Sequence, residues 1–210
     1  FALLLTLPAA VALAVVAEPI VRVLFERGAF TALDTPATAW ALVAFAVGLP
    51  AFVLIKVFQP AFFAREDTRT PMRLAVVNLM VNALGSIALF YLFPRIGLMG
   101  HVGIAVATSL AGWINAAMLW AALGRRGHIA ADSRLARSLP LIVLASLVMG
   151  GVLWLAHAWL APYLAASQPS PTKAAALAAL VAAGGLAYGT MIIVTGVMRP
   201  AQLKALLRRA

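Results

Sequence analysis

Long uncharged, strongly apolar runs alternate along this chain with short polar breaks rich in arginine. The complete runs cover Thr35 to Ile55, Leu74 to Pro94, Ile96 to Gly124 and Ala174 to Met198. A longer one, Ser138 to Thr172, has room for one span and an outer loop, and an opening run covers Phe1 to Ala17. A bilayer core about 30 Å thick is crossed by a helix of about 20 apolar residues. Each complete run meets that length. The pattern predicts an all-α, polytopic transmembrane helix bundle of about six membrane-spanning helices.

Punctuation along the chain supports this division. Thr35-Pro36, with Asp34 just ahead, predicts a capped helix start, and Thr70-Pro71 predicts another. Pro8, Pro50 and Pro60 lie within helical stretches, where each removes a backbone hydrogen bond and favours a kink. Membrane helices accept this when a neighbouring helix satisfies the freed carbonyl. The expected organisation is four helices in 1–125, a basic loop in 126–137, two helices in 138–198 and a tail in 199–210. The tail sequence AQLKALLRRA puts Leu203, Leu206 and Leu207 on one face beside Lys204, Arg208 and Arg209. That is either a short amphipathic helix on an anionic leaflet or a solvated basic tail.

Composition excludes a soluble domain. Hydrophobic residues make up 64% of the chain and charged residues 10%, against roughly 45–50% and roughly 25% in ordinary globular proteins. Mean hydropathy is +1.02. Sixteen basic and six acidic residues cannot build a polar shell, so apolar surface must face lipid. The formal charge of +10 is then explained by loop bias, and nucleic acid is not expected as a partner. Arg65, Arg69, Arg73, Arg125, Arg126, Arg134, Arg137, Arg199, Lys204, Arg208 and Arg209 fall in one alternate set of loops. Arg22, Arg27, Arg95 and Lys173 fall in the other. The positive-inside rule puts the first set, with the C-terminus, in the cytoplasm. Cysteine is absent, which removes disulfides and thiolate metal sites from consideration. The chain opens on Phe1 inside an apolar run with no basic segment before it, and it is read as lacking an N-terminal part.

Polar residues inside spans are costly and mark function by default. Lys56 lies about two thirds of the way along the second span, followed by Gln59 and Pro60. A lysine at mid-helix costs about 2.5–3.5 kcal/mol on insertion scales. It either lines a hydrophilic cavity that receives an anionic substrate or snorkels to the inner interface. Asn78 and Asn82 share one face of the third span, roughly continued by Ser86, and Thr108, Gly112 and Asn115 share a face of the fourth. These groups bond between helices, at about 0.6 kcal/mol per bond, or hold a monovalent cation with neutral oxygens. Glu18, Arg22 and Glu26, at four-residue spacing, form a charge ladder on the first span. Trp40, Trp113, Trp120, Trp154, Trp159 and Tyr163 are assigned to interfacial anchoring. His101, His128 and His157 lack metal-ligand spacing, and Gly185 with Gly189 offers a small-residue approach face on the last span. No carboxylate pair, nucleophile triad or phosphate loop is present, so enzyme chemistry is not expected.

Three stretches are more specific: EPIVRVLFERGAFTALDT (Glu18 to Thr35), GLPAFVLIKVFQPAFFAREDTRTPMR (Gly48 to Arg73) and GLMGHVGIAVATSL (Gly97 to Leu110). In combination and order they resemble the MurJ (MviN) lipid II flippase family of the multidrug/oligosaccharidyl-lipid/polysaccharide exporter superfamily. The resemblance covers residues 1–125 well; the last two spans match in number, length and placement. It implies a fourteen-helix transporter of the bacterial inner membrane, this chain corresponding to the ninth to fourteenth helices. Residues 1–125 would complete the C-terminal lobe, whose partner is an N-terminal lobe outside this chain. The spans in 138–198 would line a groove for the polyprenyl tail. Lys56 would face the central cavity and help hold the pyrophosphate of lipid II, with Gln59 as a further substrate-cavity candidate. Some members are proposed to bind sodium in this lobe, at positions matched here by Asn78, Asn82 and Thr108, with a carboxylate expected where Asn82 stands. The implied mechanism is alternating access, with membrane potential as an energy source at about 2.3 kcal/mol per charge per 100 mV. The competing readings are an exporter of another polyprenyl-linked saccharide, a drug/cation antiporter of the same superfamily, and a non-transporting scaffold of cell-wall assembly. An intramembrane enzyme would need paired acids near an interface. The only such cluster on the inner side is Glu66-Asp67, read as a solvated turn.

Overall fold

A computed structural model describes residues 2–127, 133–165 and 167–197, without the side chains of 133–136. Among the described residues all regular structure is helical. Seven α-helices occur there: α1 (Ala2–Val15), α2 (Ala17–Phe25), α3 (Asp34–Phe63), α4 (Arg69–Leu92), α5 (Gly100–Arg125), α6 (Ser133–Leu160) and α7 (Ser170–Val194). Short 3-10 turns, Phe93–Ile96 and Ala161–Tyr163, end α4 and α6. Five of the helices, α3 to α7, are long and apolar enough to cross a membrane, and α1 and α2 pass the same test only when taken together across a bend of 73°. This is a multi-pass membrane protein. The expected amphipathic tail, 199–210, lies outside the described residues, as does His128.

The chain divides into two compact units, 1–130 and 131–210. In the first, α5 packs on both α3 and α4, and α3 also receives α1 and α2. The bend between α1 and α2 falls at Val16, which leaves helical geometry at φ −110°, ψ 24°. Pro19 explains it: a proline has no N–H for the carbonyl four residues back, and its ring crowds that carbonyl. Pro8, Pro50 and Pro60, the expected kink sites, all lie inside unbroken helices.

Close approach holds α3 against α5. A Cβ at Gly48 would stand 2.5 Å from Ser109 Oγ, and one at Gly112 would stand 2.5 Å from Phe52. In that gap Ser109 Oγ donates to the Ala44 carbonyl at 2.6 Å. One turn away Trp113 Nε1 donates to the Val47 carbonyl at 3.0 Å. These two carbonyls lie on either side of Ala46, whose helical donor is the N–H that Pro50 lacks, and each accepts a donor from α5 that ties the two helices together. Trp113 therefore braces α3 as well as lying 40% exposed on the surface. Further along, Phe62, Leu119 and Leu123 are buried together, with Ile55, Phe58 and Leu74 against them.

Helix starts differ from the expectation. Helix α3 begins at Asp34, and the Thr35 hydroxyl donates to Glu26 Oε2 at 2.9 Å instead of capping its own helix. At α4 the Thr70 amide is bonded at 3.0 Å by Asp67 Oδ1, so Asp67 does the capping.

In the second unit α6 packs on α7. Gly185 and Gly189, the expected approach face, have no neighbour within 4 Å of an added Cβ. The adjacent Gly184 does the work: a Cβ there would lie 2.8 Å from a Leu153 methyl. Spacing identified the small residues but left the rotation of the helix open.

These gaps predict a contrast. Gly48→Ala should lower unfolding stability by about 1–3 kcal/mol, since the Ser109 side chain and α5 must shift. Gly185→Ala, in open space, should leave stability unchanged or slightly raised, because alanine is the better helix former. Thermal melts of both variants in the same detergent would check this.

Candidate functional site

Four polar constellations lie on or between the spans of the first unit. The first is Lys56 with Gln59, on the part of α3 beyond Pro50. The faces of α3 that carry Gly48, Phe52 and Phe62 meet α5, and Ala39 packs with Ala17 and Val21 of α2. Lys56 belongs to neither: it is exposed, as is Val57 beside it, while Gln59 is half-buried. Lys56 enters none of the ion pairs formed by the described residues.

The second lies between α4 and α5. Asn82 Oδ1 accepts hydrogen bonds from Ser86 Oγ and Thr108 Oγ1, both at 3.2 Å, and Thr108 Oγ1 also reaches the Ile104 carbonyl at 2.9 Å. The structure thus joins Asn82 to Thr108, as the shared faces suggested. Asn78 and Asn115 stay out of this knot, and the Oδ1 of each is buried without a hydrogen-bond partner. Asn115 is 6% exposed. All oxygens here are neutral. Among the described residues no group of three or more His, Cys, Asp or Glu side chains is placed to hold a metal ion.

The third follows the bend of the first span. Arg22 pairs with Glu18 and, at 3.6 Å, with Glu26, which the fully buried Thr35 ties to the start of α3. The expected charge ladder is present, and it extends across to the next helix. Nearby, His101 Nε2 lies 3.2 Å from the Ala37 carbonyl, joining the start of α5 to the same end of α3.

The fourth was missed by the sequence reading. Asp67 forms no mere solvated turn. Arg126, just past the end of α5, pairs with Asp67 Oδ2, donates to Thr70 Oγ1 at 2.9 Å and sits 5.7 Å from the centre of the Phe62 ring. Glu66 beside it is exposed and takes the left-handed conformation, φ 58°, that turns the chain. The Arg126 hydrogen bond, then those from Thr70, hold the Asp67 carboxyl well below the usual carboxylate range. The only signal was an acid between two helices with arginines in the next basic cluster, and pairing across 59 positions cannot be read from spacing. One consequence is that the Arg65–Arg73 and Arg125–Arg126 clusters share one end of this unit. Trp40, Trp113, Trp120, Trp154, Trp159 and Tyr163 are all surface-exposed.

Comparison with known proteins follows the same lines. A family model described as "Lipid II flippase MurJ" matches residues 1–197. A probable lipid II flippase MurJ of Rhizobium meliloti (strain 1021) is 48% identical over 188 residues, which is 90% of this chain and 34% of that protein. One from Rhizobium tropici is 41% identical over 210 residues, 100% of this chain and 38% of that protein. A solved structure described as lipid II flippase MurJ in an inward closed conformation matches with a TM-score of 0.66 and 25% identity. That match covers 92% of this chain and 36% of the other. The chain thus spans little more than a third of the length of these relatives.

The Asp67 pair sets a pH dependence. Because its folded pKa lies below the unfolded value of 3.8, its contribution is present above that value and is lost as pH falls through the folded one. Asp67→Asn keeps an acceptor for the Thr70 amide and removes the charge. The variant should melt below the wild type at neutral pH, and the gap should close only below about pH 4. Melting temperature against pH for the two proteins measures it.

Proposed function

The chain belongs to the MurJ family, and we propose that it is the C-terminal part of a flippase that carries lipid II from the inner to the outer leaflet. The observation that carries this reading is the family match along residues 1–197, with relatives of that name at 48% and 41% identity. Transport, with no covalent chemistry, is the activity assigned. On this reading the first unit completes the C-terminal lobe of the bacterial inner-membrane transporter, opposite an N-terminal lobe outside this chain. The two lobes rock about a central cavity that opens to one side of the membrane and then the other.

Lys56 contributes the anion contact. Its exposed position on α3, off the packed faces and free of ion pairs, suits a cation that meets the lipid pyrophosphate when the lobes enclose it. Gln59, one turn on, adds a neutral donor. The polyprenyl tail is too apolar to enter a wet cavity and would stay in lipid, along α6 and α7, whose outward faces carry Leu144, Leu147, Leu155, Val181 and Leu186. The arginine-rich end of the first unit is assigned to the cytoplasm, together with the C-terminus, by the positive-inside rule.

Asn82 and Thr108 serve first to bind α4 to α5. With Asn78 Oδ1 and the Ile104 carbonyl they also offer neutral oxygens that suit a weakly held sodium ion, and a carboxylate is absent. Sodium that raises the melting temperature of the wild type relative to a bulky organic cation, and leaves Asn82→Ala unaffected, supports the ion. An identical response of both proteins leaves helix packing as the role.

The main test is a leaflet-resolved assay of lipid II in cells depleted of the intact protein. Lipid II should accumulate on the cytoplasmic leaflet while wall synthesis stalls; a normal distribution without a redundant flippase would falsify the reading. In the intact protein Lys56→Gln should slow flipping about tenfold, the worth of one charge-assisted hydrogen bond. Lys56→Arg should retain most of the rate. An effect of the same size in both variants would point to packing instead.

A further inference from the structure

One charged side chain in the second unit is used by none of these constellations. Lys173 is 8% exposed, the single charged residue among the described ones that is buried. It forms no ion pair, and the described part of its unit contains no aspartate or glutamate at all. Its ammonium nitrogen is nevertheless not among the buried atoms without a partner. The aliphatic stem is covered and the charged head reaches the surface. A lysine fixed in this way loses little further freedom when it meets a ligand.

Lys173 lies in the first turn of α7, a helix that starts behind Pro169 with no side-chain cap. The first turn of any helix leaves amides unpaired. Here the Ser170 and Thr172 amides find no backbone acceptor outside the helix, and the Lys173 amide is taken by the Pro169 carbonyl at 3.1 Å. Helix side chains lean toward the N-terminus, which directs the Lys173 stem from its Cα back toward this turn. The helix dipole is already positive there. Two positive features set on each other are mutually unfavourable unless an anion is shared between them. The donor set is all of one kind: two amides, the Ser170 and Thr172 hydroxyls, and one ammonium.

Placement indicates the source of the anion. The turn joins two spans, and Trp159 and Tyr163 beside it are 87% and 54% exposed, as aromatics at the level of lipid headgroups are. Phosphate is the anion concentrated at that depth. We propose that the N-terminal turn of α7, with Lys173, is a binding site for a phosphate group carried by a membrane lipid. The phosphate oxygens accept from the free amides and hydroxyls, and the ammonium neutralises the charge. The site depends on membrane insertion and is independent of which substrate the transporter carries.

The test uses the whole chain in nanodiscs of phosphatidylglycerol and phosphatidylcholine, with lysine side chains labelled with nitrogen-15. The sequence has only Lys56, Lys173 and Lys204, so phosphorus-to-nitrogen dipolar dephasing can be assigned residue by residue. The Lys173 signal should be dephased by lipid phosphorus, and Lys173→Gln should remove that signal alone. In neutral detergent, phosphatidylglycerol should raise the melting temperature, with an apparent affinity about tenfold weaker for Lys173→Gln. Lys173→Arg should bind nearly as the wild type. Inorganic phosphate that reproduces the Lys173-dependent shift without lipid would keep the anion site and make its source soluble. A Lys173 signal without dephasing, with no Lys173-dependent shift from either probe, overturns the proposal. Should Lys173→Gln fail to fold, Lys56→Gln and Lys204→Gln variants assign the wild-type signals, and dephasing at Lys173 decides.

Discussion

Helices in lipid gain little from hiding apolar surface from one another, because the surrounding chains are as apolar as leucine. What brings them together is close packing and the satisfaction of polar groups that lipid cannot satisfy. In this protein the meeting of α3 and α5 shows both. Gly48 and Gly112 remove the side chains that would hold the helices apart, and Ser109 and Trp113 donate to backbone carbonyls of α3. Helix α5 is thereby fixed, and it carries α4 on its other side. The same seam fixes which face of α3 is used up by packing, and so which residues are left to face elsewhere.

That division sorts the polar residues. Ser109, Trp113, Asp67, Arg126, Thr35 and Glu26 spend their hydrogen bonds within the protein. Lys56 stands outside all of these bonds, and Asn78 and Asn115 each keep a buried oxygen without a partner. Buried polar atoms in native proteins are bonded in the great majority, so the unpartnered oxygens of Asn78 on α4 and Asn115 on α5 stand out, with Arg22 Nε on α2 as the third such atom among the described residues. Lys56 is the residue to which the proposed function assigns the anion contact. The described residues of the second unit follow another pattern, an almost wholly apolar helix pair with the covered stem of Lys173 at the connecting end.

Much of the fold was legible because each span must satisfy a length and an apolar composition independent of its neighbours. Five spans follow from hydropathy alone; the opening apolar run is a pair of helices bent by 73°, and its bend came from Pro19 rather than from Pro8. Where an assignment needed the rotation of one helix against another, spacing fell short. Gly185 and Gly189 have the right interval but point into open space, whereas Gly184 meets Leu153. Asn82 and Thr108 were placed on candidate faces, and their bond follows because α4 and α5 are joined by a short turn and lie side by side. Asp67 and Arg126 gave no local hint, since the two stand far apart in the chain and meet only because α5 returns to the end of α3.

The sequence by itself determined that this is a multi-pass membrane protein, where its long apolar helices lie, and which loops carry its positive charge. It also determined the family, through motifs whose order is specific. These are properties of composition and local order, set by what a bilayer accepts one helix at a time. Only the tertiary structure decided which polar groups are bonded and which are free. That depends on helix rotation and on contacts between residues tens of positions apart, which no local pattern along the chain specifies.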